Sequence, residues 1–115
     1  MILDITPVPK PRMTRADKWK KRPSVLRYRA FADELRLKLR RDFDFNSCQV
    51  EFIIPMPKSW KADKKAKMCA QPHTQTPDLD NLLKALLDAH TDDDSGIHTI
   101  SVRKCWGYKG NIIIT

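Results

Sequence analysis

The sequence predicts a single small domain of the α/β (α+β) class, with about four strands in a mixed sheet packed by two or three helices. The length of 115 residues suits one domain and is too short for two. Apolar residues make up 41% and charged residues 31% of the chain, a balance typical of globular proteins. Segments with strand periodicity and segments with helix periodicity follow one another along residues 1–115, which favours a mixed class.

The N-terminal third of the chain predicts an edge strand, a basic segment and a long helix. Residues 2–6 form the strand, and three prolines in the next five residues exclude a helix there. Residues 10–22 have no apolar period, so we interpret them as a basic arm or loop. Ser24 is a favourable N-cap for a helix of about 16–18 residues. The apolar side chains of this helix recur at steps of three and four: Tyr28, Phe31, Ala32, Leu35 and Leu39.

The middle of the chain predicts a strand and a short helix. Residues 47–54 alternate between apolar and polar side chains, and Pro55 and Pro57 end the strand. Ser59 is a candidate N-cap for a lysine-rich helix that extends from Trp60 to Ala70.

The C-terminal third predicts a helix and two strands. Leu79 to His90 has four leucines on one helical face. A strand from about residue 97 to 106 follows an acidic turn. Gly107 to Gly110 indicates a hairpin turn, and Asn111 to Thr115 forms the last strand. The predicted order of elements is therefore βαβ(α)αββ.

The charge of the chain is strongly asymmetric. The formal net charge is +8, and residues 1–70 hold 18 basic against 8 acidic side chains. Residues 71–115 hold 4 basic against 6 acidic side chains. This distribution indicates a surface that binds a polyanion around a site that uses carboxylates, although a basic surface that only aids solubility has the same composition.

Neither a membrane segment nor a secretory leader is visible in the sequence. The longest run of strongly apolar residues is Ile112 to Ile114, which is far too short to span a bilayer. We therefore expect a cytoplasmic protein. Three widely spaced cysteines, Cys48, Cys69 and Cys105, do not suggest a disulfide framework and fit a reducing compartment.

The most unusual stretch extends from Thr76 to Asp88. Asp78 and Asp80 lie two residues apart at a predicted helix start, so their carboxylates can point into one small volume. Lys84 follows Asp80 by four residues and precedes Asp88 by four, which places all three on one helical face. Helix capping and a surface ion-pair ladder would use the same residues.

An acidic triplet, Asp92 to Asp94, brings the number of aspartates within residues 78–94 to six. Bringing that much like charge together is unfavourable unless a cation neutralises it. Oxygen ligands without clustered histidine or cysteine favour a hard cation, Mg²⁺ or Mn²⁺. Such an ion in a basic surface indicates phosphodiester hydrolysis, with Lys84 placed to stabilise charge that develops in the transition state.

Pro77 to Asp88, followed by Asp93-Asp94-Ser95 and Ile97, resembles the RusA family of Holliday-junction resolvases. Pro9-Lys10-Pro11-Arg12 and the stretch from Ile54 to Trp60 also resemble that family, so the similarity covers nearly the whole chain. The resemblance implies one RusA-like endonuclease domain over residues 1–115. It also implies a Mg²⁺-dependent homodimer that nicks symmetric strands of four-way DNA junctions in bacteria, phages or prophages, in DNA recombination or repair.

The resemblance also assigns site residues. Asp78 and Asp80 match the first two metal-binding aspartates, and Lys84 matches the essential lysine. Asp94 matches the third acidic position best, with Asp93 as its less critical neighbour; the register of the triplet also leaves Asp92 open. Catalysis is thus expected from Asp78, Asp80, Lys84 and Asp94, without a small-molecule cofactor.

Basic side chains on both sides of the first helix are expected to hold the junction arms through phosphate contacts. These are Lys10, Arg12, Arg15, Lys18, Lys20, Lys21, Arg22, Lys58, Lys61, Lys64, Lys65 and Lys67. Trp19 or Trp60 could stack on an unpaired base at the crossover, although packing at the rim of the core is the simpler role for Trp60.

Three alternatives remain open from the sequence. The chain could be a basic DNA-binding module without catalysis, or a metal nuclease that acts on other branched DNA. A zinc site built from Cys69, His73, His90 or His98 is the weakest alternative, because their separations match no familiar zinc spacing. We expect His73 and His98 to be surface or loop residues.

Overall fold

In the part of the chain that the structure describes, seven elements form one mixed four-stranded sheet with three helices, which confirms the predicted α+β class. The computed structural model describes residues 1–12 and 22–115. In chain order the elements are β1 (Ile2–Leu3), α1 (Pro23–Lys38), β2 (Cys48–Pro55), α2 (Ala62–Met68), α3 (Leu79–His90), β3 (Ile100–Gly107) and β4 (Asn111–Ile114).

The order of strands across the sheet is β1-β4-β2-β3. Strand β3 lies at one edge of the sheet and is parallel to its neighbour β2 over eight residues, from Cys48 opposite Ile100 to Pro55 opposite Gly107. Strand β4 pairs with β2 on its other side and with β1, in both cases antiparallel. A parallel pair needs a crossover, and α2 and α3 form it. Helix α3 therefore begins near the carboxyl ends of β2 and β3 and ends near their amino ends.

The core lies between the sheet and the pair α1 and α3. Every apolar position predicted for α1 is buried, and α3 has the predicted bounds. Most of the largest fully buried side chains lie in α1, α3, β2 and β4, and they include Leu35, Leu82, Leu86, Phe52 and Ile112. No helix within residues 1–12 and 22–115 is long and apolar enough to cross a membrane.

Helix starts and the first strand differ from the sequence prediction. Arg22, not Ser24, is the N-cap of α1, because Pro23 occupies the first helical position. Proline suits that position since its ring presets φ and it lacks the N–H that would otherwise be unpaired. The edge strand β1 is limited to Ile2–Leu3, and α2 is shorter than the predicted residues 60–70.

The predicted hairpin between the last two strands is wrong. Strands β3 and β4 are consecutive but do not pair, because β2 lies between them. Their connection crosses the end of β2, and glycines permit the close approach: a Cβ at Gly107 would overlap Ile53 Cγ2, and one at Gly110 would lie 2.6 Å from Thr6 Oγ1. Neither glycine has a positive φ, which hairpin turns commonly demand.

Candidate active site at the start of helix α3

Asp78 and Asp80 flank the first residue of α3. Asp78 is the N-cap residue with an extended backbone (φ −69°, ψ 147°), and Asp80 lies in the first turn. Leu79, between them, is half-buried against the core, while both aspartates are exposed. The helix begins where the sequence predicted, and both carboxylates face solvent at its start.

Neither carboxylate has a structural partner among residues 1–12 and 22–115. Asp78 makes no side-chain capping hydrogen bond, although its backbone oxygen accepts one from the Leu82 N–H at 3.1 Å. Neither Asp78 nor Asp80 takes part in an ion pair with the residues that the structure describes. Capping therefore does not account for these carboxylates, and they are free to bind a ligand.

The ion-pair ladder considered from the sequence does not form. Asp88 pairs with Lys10, not with Lys84, at 3.5 Å between Oδ2 and Nζ. The same Lys10 ammonium lies 4.2 Å from the centre of the Tyr28 ring, and the Lys10 N–H donates to the Asn81 oxygen at 3.3 Å. Lys10 therefore holds the N-terminal segment against α3. Because Asp88 pairs with Lys10, Lys84 stays exposed, one helical turn after Asp80.

Asp93 and Asp94 have different surroundings in the acidic turn. The Asp93 carboxylate accepts a hydrogen bond from the Ser95 N–H at 2.9 Å, and this bond lowers the pKa of Asp93. The Thr91 hydroxyl donates to the Asp93 backbone oxygen at 3.0 Å, which closes the turn. Asp92 and Asp94 are exposed, and no side-chain bond engages their carboxylates within the described ranges. Asp93 therefore shapes the turn, while Asp94 presents an uncommitted carboxylate.

The acidic turn lies beyond the opposite end of α3 from Asp78. The helix has 12 residues, which corresponds to about 18 Å along its axis. Gly96 in the turn contacts Asn46, which precedes β2, at 3.0 Å between the Gly96 oxygen and Asn46 Nδ2. Among residues 1–12 and 22–115 no three His, Cys, Asp or Glu side chains gather to hold a metal ion. Asp78 and Asp80 alone still match the usual Mg²⁺ ligation by one or two carboxylates plus substrate phosphates.

A lysine that the sequence analysis missed lies beneath the loop before α3. Lys104 of β3 donates from Nζ to the backbone oxygens of Gln75 at 2.5 Å and Pro77 at 2.7 Å. Its position was detectable, because Ile100, Val102 and Lys104 occupy the same side of the strand. A lysine that follows two apolar residues on one face of a strand indicates that its ammonium has a specific partner.

The lysine-rich segment lies at the same end of the sheet. Trp60 packs on Trp106 with ring centroids 4.8 Å apart, and Trp106 packs on His73 at 4.2 Å. Lys64 lies 4.2 Å from the centre of the Trp60 ring. Helix α2 buries none of its residues, so most of the lysines near it face solvent: Lys58, Lys61, Lys64 and Lys67 are exposed and Lys65 is half-buried. Since Trp106 is near the end of β3, this basic surface and Asp78 share one end of the parallel pair.

Part of the predicted basic arm lies outside the described residues, namely Arg15, Lys18, Lys20 and Lys21, together with Trp19. At its two edges, Arg12 and Arg22 are exposed, and Arg22 Nη2 donates to the Arg12 oxygen at 2.6 Å.

The histidines and cysteines considered for zinc are dispersed. His73 is a loop residue, as one of the two expectations had it, but it is not at the surface: it is 4% exposed, where the backbone of residues 70–73 runs along the edge of β3. Burial, and the nearby Lys104 charge, lower the pKa of His73. His90 contacts the Phe43 oxygen at 2.9 Å, whereas His98 is exposed. Cys69 is half-buried and free.

Comparison with known proteins identifies the family. The model of the family described as endodeoxyribonuclease RusA matches residues 4–115. No curated protein and no solved structure matches the chain. The match covers nearly the whole length, including the carboxylate pair, Lys84 and both basic segments. The chain therefore belongs to the RusA family and is an endodeoxyribonuclease of the Holliday-junction-resolving type.

Proposed function

We propose that this protein resolves Holliday junctions by Mg²⁺-dependent, paired and symmetric nicks. The observation that carries the proposal is the pair of exposed carboxylates, Asp78 and Asp80, which have no partner in the described part of the chain and lie at the same end of the sheet as the basic surface. Ordinary helix capping leaves no such pair free. A site of this kind binds a cation, and the lysines around it bind the phosphates that the reaction needs.

Asp78 and Asp80 would hold the ion together with phosphate oxygens of the DNA. When bound, Mg²⁺ (or Mn²⁺) polarises the phosphate and lowers the pKa of a bound water. Lys84 is exposed one turn after Asp80 on the same helical face, where an ammonium favours the charge that develops on the leaving oxygen.

The DNA surface combines the α2 lysines with Arg12, Arg22 and the basic residues between them. Contacts of this type position the duplex arms without reading the base sequence, and they weaken as salt rises. Lys10 contributes by fixing the segment that ends at Arg12, since its own charge is paired with Asp88. Branched DNA is therefore the proposed partner.

We further propose a homodimer, because two symmetric cuts match a two-fold arrangement of two sites. If Asp94 is the third ligand, the length of α3 separates it from Asp78 and Asp80 of its own chain, so a second copy would supply it. Co-expression of Asp80→Asn with Asp94→Asn chains tests this. Each mixed dimer would then contain one intact site. About a quarter of all sites in the preparation would be active, so nicking should return to about a quarter of the wild-type level. Absence of restoration, or full activity of Asp94→Asn alone, would contradict a ligand supplied between copies.

The experiment that tests the function compares substrates and metals. A synthetic four-way junction and a linear duplex are incubated with the wild type and Lys84→Ala, in Mg²⁺ or in EDTA. We expect incision of the junction by the wild type in Mg²⁺ alone, with a loss of about 100-fold or more for Lys84→Ala. Equal incision of the duplex would indicate a nuclease of broader substrate range. Metal-independent binding without incision would indicate a DNA-binding module.

A further inference from the structure

Among residues 1–12 and 22–115, Lys104 makes the only side-chain hydrogen bonds to residues 74–77, the loop that precedes Asp78. Residues 70–73 pair with the outer edge of β3, through the Ala70 N–H to the Trp106 oxygen at 2.9 Å and the His73 N–H to the Lys104 oxygen at 3.1 Å. The chain then leaves the edge and crosses toward α3. Residues 74–77 belong to no helix or strand. The orientation of their backbone therefore depends on local contacts.

The Lys104 side chain supplies those contacts. Lys104 lies opposite Phe52 in the parallel register, and partners in register point to the same side of the sheet. From there its ammonium reaches the Gln75 oxygen at 2.5 Å and the Pro77 oxygen at 2.7 Å. Hydrogen bonds from a charged donor at these distances are short and strong.

The Pro77 oxygen belongs to the peptide that joins Pro77 to Asp78. Once the plane of that peptide is fixed, only rotation about the Asp78 N–Cα bond can still change the direction in which the Asp78 side chain leaves the backbone. On its other side Asp78 is held by its own oxygen, which accepts from the Leu82 N–H at 3.1 Å. The Asp78 carboxylate thus has no partner among the residues that the structure describes, while the backbone that carries it is held on both sides.

We propose that Lys104 is a positioning residue for the metal-binding carboxylate Asp78. It acts through the peptide before Asp78 and does not itself touch the reacting phosphate. The inference rests on the proposed function of Asp78 and Asp80. Groups that orient metal ligands from outside commonly change metal affinity or activity about 10- to 100-fold when they are removed.

The test uses the full chain with Lys104→Met, Lys104→Gln and Lys104→Arg. Lys109→Met is the matched control, because Lys109 follows the same strand and pairs with Asp4 at 3.0 Å, away from residues 74–78. For each protein we measure the Mg²⁺ concentration that gives half-maximal nicking and the junction affinity in EDTA. Amide hydrogen exchange over residues 74–80 reports the order of the loop without metal.

We expect Lys104→Met and Lys104→Gln to need about 10- to 100-fold more Mg²⁺ and to exchange faster over residues 74–80. Their junction affinity in EDTA should stay at the wild-type level, and Lys104→Arg should restore most of the Mg²⁺ response. An unchanged Mg²⁺ midpoint in both variants, beside an active wild type, would overturn the role of Lys104 alone. A wild type that nicks no junction at any Mg²⁺ concentration would overturn the proposed function and this inference together.

Discussion

Replacing Asp78 with alanine shows whether its carboxylate serves as a metal ligand or as a helix cap. Replacing a capping aspartate with alanine lowers the free energy of unfolding by about 1 kcal/mol, within a range of about 0.5–2 kcal/mol. Asp78 occupies the N-cap position but makes no side-chain capping bond, so this loss should be absent. What remains is attraction between the carboxylate and the helix dipole, about 0.3–1 kcal/mol at low salt. Repulsion from the nearby Asp80 acts in the opposite direction.

The assay is urea unfolding at about 0.5 M NaCl, where a Debye length of about 4 Å screens exposed charges. We expect Asp78→Ala to change the free energy of unfolding by less than about 0.5 kcal/mol. With a urea dependence of about 2 kcal/mol per molar, the midpoint moves by less than about 0.25 M. The same variant should bind junction DNA and fail to nick it.

Leu86→Ala is the control for sensitivity, because Leu86 is 0% exposed in the core. That substitution should cost about 2–5 kcal/mol and move the midpoint by about 1 M or more. A loss above about 1 kcal/mol for Asp78→Ala that persists in salt would mean that the carboxylate caps α3 in solution. Asp78 would then not be free to bind a metal ion.

The remaining predictions concern pH, salt and the N-terminal segment. The pKa of His73 is lowered on folding, so the unfolded chain binds the proton more readily and stability falls as pH drops through the unfolded value of about 6.5; His73→Phe should flatten this part of a pH series of thermal melts, and an unchanged slope would contradict it. Replacing Lys61 and Lys67 together with methionine should reduce the slope of log affinity against log salt by about two units, and an unchanged slope would remove α2 from the DNA surface. Lys10→Met loses a half-buried ion pair and a ring contact, so we expect a loss of about 1–2 kcal/mol in urea unfolding, and a fully stable variant would show that Lys10 does not fasten its segment.

Much of the fold follows from local pattern. The bounds of α3 were predictable because its leucines repeat at helical spacing and Pro77 precedes it. The separation of β3 from β4 was not predictable, because glycines near a turn do not reveal which strand lies alongside the next. Here β2 occupies the place between them, and the glycines serve close packing at the crossing.

The candidate site was likewise predictable from the sequence only in part. The placement of Asp78 and Asp80 at a helix start was predictable because two carboxylates there are unusual in a basic chain. The contacts of Lys104 and the burial of His73 depend on residues 70–73 pairing with β3, across about thirty positions of sequence. Local periodicity carries no information about that register, so these two roles required the structure.

The most direct test of the central claim is strand-resolved incision of a four-way junction by the wild type and by Asp80→Asn, at equal occupancy of the DNA and in Mg²⁺. We expect the wild type to cut two strands at symmetric positions. The variant should occupy the junction equally and leave every strand whole. Incision by Asp80→Asn at the wild-type rate would contradict the assignment of the metal to the start of α3.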